Sequence, residues 1–150
     1  MEIVQQQANQ YCGFKIAGEE YAIPVMEVQE VIKPLQVTSV PLAQDEIRGL
    51  INLRGQIVTS LSLRKLFGQD EHLSQDYMNI IVKGDDGLYS LVVDEVTDII
   101  DVEEESVERV PDTINPRIKR FVDRIFKRSK GLVILLKIDE LIKLEEKRVK

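Results

Sequence analysis

"RGLINLRGQIVTSLSLRKL", from Arg48 to Leu66, reads as two apolar strips around a charged tip, Arg54-Gly55-Gln56. In the second strip Ile57, Thr59, Leu61 and Leu63 alternate with Val58, Ser60 and Ser62. A period of two predicts a half-buried strand, with the first set on one face and the second set on the other. Glycine supplies positive φ at little cost, so Gly55 suits a tight hairpin turn. "RKLFG" then reads as one helical turn stopped by Gly68. An arginine at the end of so apolar a hairpin asks for a partner.

The stretch has a counterpart. "IVTSLSLRKLF" (Ile57 to Phe67) aligns with "LVILLKIDELI" (Leu132 to Ile142) 75 positions later. Leu61 meets Leu136, Leu63 meets Ile138, and Leu66 meets Leu141. Upstream, "YAIPVMEVQEVI" (Tyr21 to Ile32) aligns with "YSLVVDEVTDII" (Tyr89 to Ile100) 68 positions later. Two blocks in the same order at similar offsets indicate an internal duplication of roughly 70 residues.

Each copy reads mostly as strands. In the first, Phe14 to Ile16 and Tyr21 to Ile23 flank a turn at Gly18-Glu19. Val25, Val28 and Ile32 have the spacing of one helix face, which predicts a short helix ending before Pro34. In the second, Met78, Ile80 and Val82 begin a strand buried on both faces. "KGDDG" is a turn, and Leu88 to Val93 and Val96 to Val102 are further strands. "VPDTINP" is a loop. Phe121 to Phe126 and Leu132 to Ile138 form a hairpin, and Asp139 is placed to cap a terminal helix with Leu141, Ile142 and Leu144 inward.

About five strands on about 60 residues per copy are too few for a sandwich, whereas a small bent barrel closes its own edges. The fold expected is mainly β: two packed five-stranded barrel lobes with short helices and a C-terminal helix. The first lobe is expected over residues 13–70 and the second over 76–144, within a single domain spanning 1–150. No Pro-, Gly- or Ser-rich linker separates the copies, so they should share a core that neither could build alone, with a groove between them.

Composition narrows the function. The formal charge is −6, which disfavours nonspecific binding of nucleic acid or anionic lipid by the chain as a whole. Cys12 is the only cysteine. A lone thiol fits a reducing cytoplasm and a small, half-buried apolar role. No apolar run approaches the roughly 20 residues of a membrane span, and "MEIVQQQANQ" is not a secretory signal.

His72, the only histidine, sits in the polar connection "GQDEHLSQD" without a partner set. Nucleotide-binding, hydrolase and zinc-protease motifs are absent, and neither a metal nor a cofactor is expected. The acidic belt Asp94, Glu95, Asp98, Asp101, Glu103, Glu104, Glu105 and Glu108 reads as a solvated edge. The basic run Arg117, Lys119, Arg120, Arg124, Lys127, Arg128 and Lys130 reads as the charged edge of the last hairpin. A nucleic-acid patch is the sharper alternative, weakened by only two aromatics, Phe121 and Phe126, for stacking. A hydrolase using carboxylate pairs lacks a reactive pocket. An interaction module remains.

"EEYAIPVMEVQEVI", "VTSVP" and "IRGLINLRGQIVTSLSLRKLFG" together resemble the CheW family of bacterial chemotaxis coupling proteins. "SLVVDEVTDIIDV" looks like the family's second-lobe strand pair, and "KGLVILLKIDELI" like its closing strand and helix. The resemblance runs from about Gly13 to Leu144. It implies two SH3-like barrels and a non-catalytic, cytoplasmic adaptor, without direct membrane insertion. The adaptor would bridge the cytoplasmic tip of transmembrane chemoreceptors to the regulatory domain of the histidine kinase CheA, in membrane-associated arrays. One departure stands out: Ser62 precedes the Leu63-Arg64 pair where many relatives have Asp. A domain detached from a larger kinase is the variant reading within the family. Met1 and the solvated end favour a stand-alone protein.

The implied receptor surface is a groove accepting a helical hairpin. Val28, Ile32, Leu53 and Val96 are expected as apolar anchors, and Glu30, Asn52 and Arg54 as a polar rim. Val28 and Glu30 follow from "EVQEV", and Gly49, Asn52 and Arg54 from "RGLINLRG". Core packing is the competing role for Val28, and a tight bend for Gly49. An Arg54–Glu30 ion pair is expected, because a planar guanidinium fork can fix the hairpin against the preceding element. For the kinase contact Val40, Pro41 and Leu42 are expected, with the basic run a candidate for a second contact in the array.

Overall fold

The structure, a computed structural model, describes residues 9–70 and 75–143. His72 and Leu144 lie outside these. The strands are β1 (Gln10–Ile16), β2 (Glu19–Pro24), β3 (Val28–Ile32), β4 (Ile47–Leu53), β5 (Gln56–Ser62), β6 (Met78–Gly84), β7 (Gly87–Val93), β8 (Glu95–Asp101), β9 (Val107–Glu108), β10 (Val122–Arg128) and β11 (Gly131–Leu136). The helical turns are α1 (Leu63–Leu66), α2 (Pro116–Lys119) and α3 (Ile138–Ile142), with short 3-10 turns at Val25–Glu27 and Glu104–Ser106.

These strands make two sheets with one plan. The five-stranded sheet runs β3-β6-β7-β5-β4, and the six-stranded sheet runs β8-β1-β2-β11-β10-β9. Under the repeat offsets β1, β2 and β3 become β6, β7 and β8, while β4 and β5 become β10 and β11. The sheets therefore share a strand order. Each contains one parallel contact, β5 with β7 and β11 with β2.

The lobes do not divide the chain at residues 13–70 and 76–144. The β1–β2 hairpin pairs with β8 and β11, while β3, β4 and β5 join β6 and β7. The copies have exchanged hairpins. A repeat reveals which strands correspond, but the same face pattern suits either of two equivalent partners, so the exchange is invisible in the pattern.

In each sheet the chain that leaves one end strand turns back to the strand at the other end. In the six-stranded sheet the chain leaving β8 returns as β9 to pair with β10. In the five-stranded sheet Thr38, beyond β3, exchanges backbone hydrogen bonds of 2.9 and 2.8 Å with Leu50 of β4. These contacts cover part of the end strands, whose free backbone groups would otherwise template aggregation. The β10–β11 hairpin is accordingly not an exposed edge.

Three apolar clusters result. Tyr11, Ala22, Ile100, Phe126, Val133 and Leu135 fill the six-stranded lobe. Ile51, Leu53, Val58 and Ile81 fill the other. The largest cluster brings together Phe14, Ile16, Tyr21 and Ile23 from one sheet and Leu61, Ile80, Val82, Leu91 and Val93 from the other. Two short lobes each bury little, and this common core gives the pair its cooperativity.

Several local expectations are corrected. Val25 to Ile32 is a 3-10 turn followed by strand β3 rather than a helix. Register shifts between Val28 and Glu30, so Val28 opposes Val82 and Val31 opposes Ile80. Val25 and Val28 rest on the common core and Ile32 on the lobe interior, so their helical spacing comes from a turn and an irregular strand with apolar residues on both faces. In β5, Ile57 is exposed and Val58 is buried. The Val58 face lines the lobe interior near the tip, while the Leu61 face reaches the common core further along. Asp139 is not a cap: Lys137 holds the N-cap position of α3 without a side-chain hydrogen bond. Pro116 opens α2 within the expected loop, where Asn115 accepts from the Arg117 backbone N–H at 2.9 Å.

Candidate functional site

The hairpin tip turns at Arg54 (φ 51°) and Gly55 (φ 90°). Two consecutive left-handed residues match the right-handed twist of the flanking strands. The Asn52 side chain braces the turn by accepting from the Gly55 backbone N–H at 2.8 Å. Arg54 reaches across to Glu30, and the two form the expected ion pair. Since β3 and β4 are the edge strands of this sheet, the pair ties its two edges together. Arg54 remains 67% exposed while Glu30 is 28% exposed, so part of the guanidinium is left facing outward.

The expected anchors separate under inspection. Val28 and Ile32 are half-buried on β3, Val28 against the common core and Ile32 against the lobe interior. Val96 belongs to the other sheet, opposite Phe14, and also rests on the common core. Leu53 is not available as an anchor, because it is 4% exposed and packs inside the five-stranded lobe. Gly49 is not a contact surface either. It is buried, and a Cβ there would come within 2.2 Å of the Thr38 carbonyl oxygen. Its place is set by the close approach of the Thr38 backbone to β4.

Sequence reasoning missed the exposed apolar groups nearby. Met26, Val31 and Ile57 are all exposed, Ile57 facing Asn52 across the hairpin. The signal available was position: Ile57 lies two residues after Gly55, where a strand has not yet entered the core. Val40, Pro41 and Leu42 are exposed, with Leu42 in a left-handed conformation (φ 65°). They form a turn in the β3–β4 connection rather than a hairpin end. Val40 also borders a surface depression of about 380 Å3 with Val37, Ile47, Arg48 and Lys65.

A second ion pair was not expected. Arg64 Nε and Nη2 each donate to a different carboxylate oxygen of Asp94 at 2.8 Å. Asp94 in turn accepts from the Ala17 backbone N–H at 2.7 Å. Both side chains are only about a fifth exposed. Fork-on-carboxylate geometry, partly withdrawn from water, is worth more than a surface pair. Arg64→Ala is expected to lower unfolding free energy by about 2 kcal/mol, measured by urea denaturation. Beside it Ser62, 1% exposed, caps α1 by accepting from the Lys65 backbone N–H at 3.2 Å. The serine thus performs the capping task open to an Asp here.

The three cations of β10 pair with carboxylates, most of them in the acidic belt. Arg124 pairs with Glu104 at 2.7 Å, Lys127 with Glu108 at 2.7 Å, and Arg128 with Glu20 at 2.6 Å and Asp98 at 3.4 Å. The hydrogen bond that Arg124 donates to Glu104 raises the Arg124 pKa. Arg117 donates to the Leu66 and Lys65 carbonyls at 3.3 and 3.2 Å. Burial pushes the Cys12 thiol up, away from the thiolate that would react. Burial, aided by Glu19, pushes Tyr21 up to about 12. Among the described residues no group of three His, Cys, Asp or Glu is arranged to hold a metal ion. None of their helices is long and apolar enough to cross a membrane.

With this geometry in place, relatives can be compared. Residues 10–146 match the CheW-like domain. The chain belongs to the CheW family. It is 31% identical to the chemotaxis protein CheW of Helicobacter pylori, over 92% of this chain and 84% of that one. It is likewise 31% identical to the Bacillus subtilis chemotaxis protein CheW, over 82% and 80%. Among solved structures it resembles the scaffolding protein TtCheW from Thermoanaerobacter tengcongensis. That match has a TM-score of 0.82 and 31% identity, covering 91% of this chain and 94% of that one. CheW membership accounts for the paired lobes.

Proposed function

We propose that the chain is a non-catalytic adaptor of a chemotaxis signalling array. It joins the cytoplasmic tip of a chemoreceptor to the regulatory domain of the kinase CheA. The observation that carries this reading is the likeness, over nearly the whole length of both chains, to a protein described as scaffolding. In this reading the protein is cytoplasmic and is recruited to receptor arrays at the membrane.

The receptor side is the edge built by β3 and the β4–β5 tip. Val28 and Ile32 supply partly buried apolar surface there, extended by exposed Met26, Val31 and Ile57, while Val96 stands apart on the other sheet. Glu30, Asn52 and Arg54 form the polar rim. A helical hairpin fits such a surface because its apolar stripe needs anchors, while the charged rim fixes its register. The turn at Val40, Pro41 and Leu42 is the kinase side. The nucleic-acid alternative is disfavoured by the ion pairs along β10, which leave its cations already engaged with carboxylates.

Capture of the purified chain on an immobilised receptor-tip fragment, and separately on the kinase regulatory domain, tests the reading. Both are expected to retain it. Arg54→Ala should weaken receptor capture by at least about threefold, while costing at most about 1 kcal/mol of stability, as expected for a solvent-screened pair. Retention by neither partner would contradict the coupling function. Unchanged receptor capture by the variant would remove Arg54 from the contact.

A further inference from the structure

The duplication builds one return contact at each sheet and holds the two by different forces. In the five-stranded sheet Thr38 comes back to Leu50 of β4. In the six-stranded sheet Val107 and Glu108 of β9 come back to Phe126 and Ile125 of β10. The offset of 75 carries Leu50 onto Ile125 and Gly49 onto Arg124. It also carries the register shift between Ile47 and Gly49 onto the one between Val122 and Arg124. The two contacts thus occupy the same place on β4 and β10.

At Gly49 the absent side chain lets the Thr38 backbone lie against β4, where Thr38 and Leu50 each donate a backbone hydrogen bond to the other. At the equivalent position stands a long cation. Arg124 reaches Glu104 at 2.7 Å, and Lys127 reaches Glu108 at 2.7 Å. Arg124 also meets Asp123 of its own strand at 3.5 Å. Both Glu104 and Glu108 are more than half exposed, and β9 is only two residues long. Residues 102–110 therefore form a strap pinned at its ends. Val102 is buried and its backbone N–H donates to the Asn9 carbonyl at 2.9 Å, while Val110 rests on the common core. Between these ends the strap is held by half-buried Val107, by two ladder pairs and by the two ion pairs.

We infer that this strap is an electrostatic latch: it lifts locally from β10 when its two ion pairs are screened, while the Thr38–Leu50 contact stays in place. Exposed ion pairs are weak and are screened by salt, whereas a steric fit at a glycine and backbone hydrogen bonds carry no net charge to screen. Short segments with few buried contacts open at free energies well below that of global unfolding. Lifting bares the outer edge of β10 at Ile125 and Phe126, so ionic conditions control access to it. Arginine in place of glycine has exchanged a fit set by shape for one set by charge. The inference rests on this chain's own contacts and is independent of the coupling function.

Amide hydrogen exchange on the full chain tests it, read in sodium chloride from about 0.01 M to about 1 M, over which the screening length falls from about 30 Å to about 3 Å. Exchange at Val107 and Glu108 is expected to rise roughly threefold to tenfold relative to that at Thr38 and Leu50. Taking the ratio cancels the effect of salt on the exchange chemistry itself. Glu104→Gln combined with Glu108→Gln removes both charges at exposed positions and keeps the side-chain size, so the variant should fold. Its ratio at low salt should match that of the unaltered chain at high salt, and should then hold steady as salt is added. A ratio in the unaltered chain that does not change with salt, or a variant that keeps the full salt response, would overturn the inference.

Discussion

Phe14→Ala lowers the unfolding free energy of the whole chain by about 3–5 kcal/mol, the range for truncating a fully buried aromatic. Phe14 is completely buried and lies 6.0 Å, ring to ring, from Tyr21 in the core common to both sheets. A small backbone shift cannot fill the resulting void, because the walls come from two sheets, each held by its own strand pairing. The consequence extends beyond one lobe. With the hairpins exchanged, neither sheet can unfold without removing two strands from the other's copy of the repeat. The chain has no tryptophan, so unfolding is best followed by circular dichroism and by methyl resonances of Val133 in one lobe and Val58 in the other. Both reporters are expected to share one midpoint. Separate midpoints would mean that the common core does not couple the lobes.

Gly49→Ala is the second large effect. Gly49 has φ of +144°, and an added Cβ would lie 2.2 Å from the Thr38 carbonyl oxygen and 2.8 Å from the Val37 Cγ1 atom. Backbone cannot retreat as a side-chain end can, and the Thr38–Leu50 hydrogen bonds sit at the point of collision. A loss of about 2–4 kcal/mol is expected from overpacking and an unfavourable conformation together. Thermal and urea denaturation check it. A loss below about 0.5 kcal/mol, the level of an ordinary surface change, would mean that the Thr38–Leu50 contact is not where stability is held. Weakened receptor capture by this variant would reflect lost structure, since Gly49 presents no side chain to a partner.

The fold was legible wherever a pattern had one structural meaning. Alternation in β5 and the matched blocks at Tyr21/Tyr89 and Leu61/Leu136 gave the strands, the duplication and the two-lobed plan. Arg54 and Glu30 could be paired from the chemistry of the tip. What escaped were features in which one pattern serves two geometries. Val25, Val28 and Ile32 have a helical spacing, yet a turn and an irregular strand set them against two different clusters. Hairpin exchange leaves every face assignment intact while changing which copy supplies each partner. Leu53 and Val31 show the same difficulty at the site. Both are apolar and near the docking edge, but Leu53 points into a small barrel and Val31 does not, and sidedness near a bulge depends on register. The Arg64–Asp94 pair joins residues 30 positions apart, across a crossover that appears only once the exchange is known.

The central claim is that a surface edge, rather than a reactive group, is the working part of the molecule. Its most direct test is titration of isotopically labelled chain with a receptor-tip fragment, reading backbone amide resonances. The account predicts saturable shifts concentrated in residues 26–32 and 54–57, with Glu30 and Arg54 among them. Shifts absent at saturating fragment, or confined to residues 117–130, would contradict it.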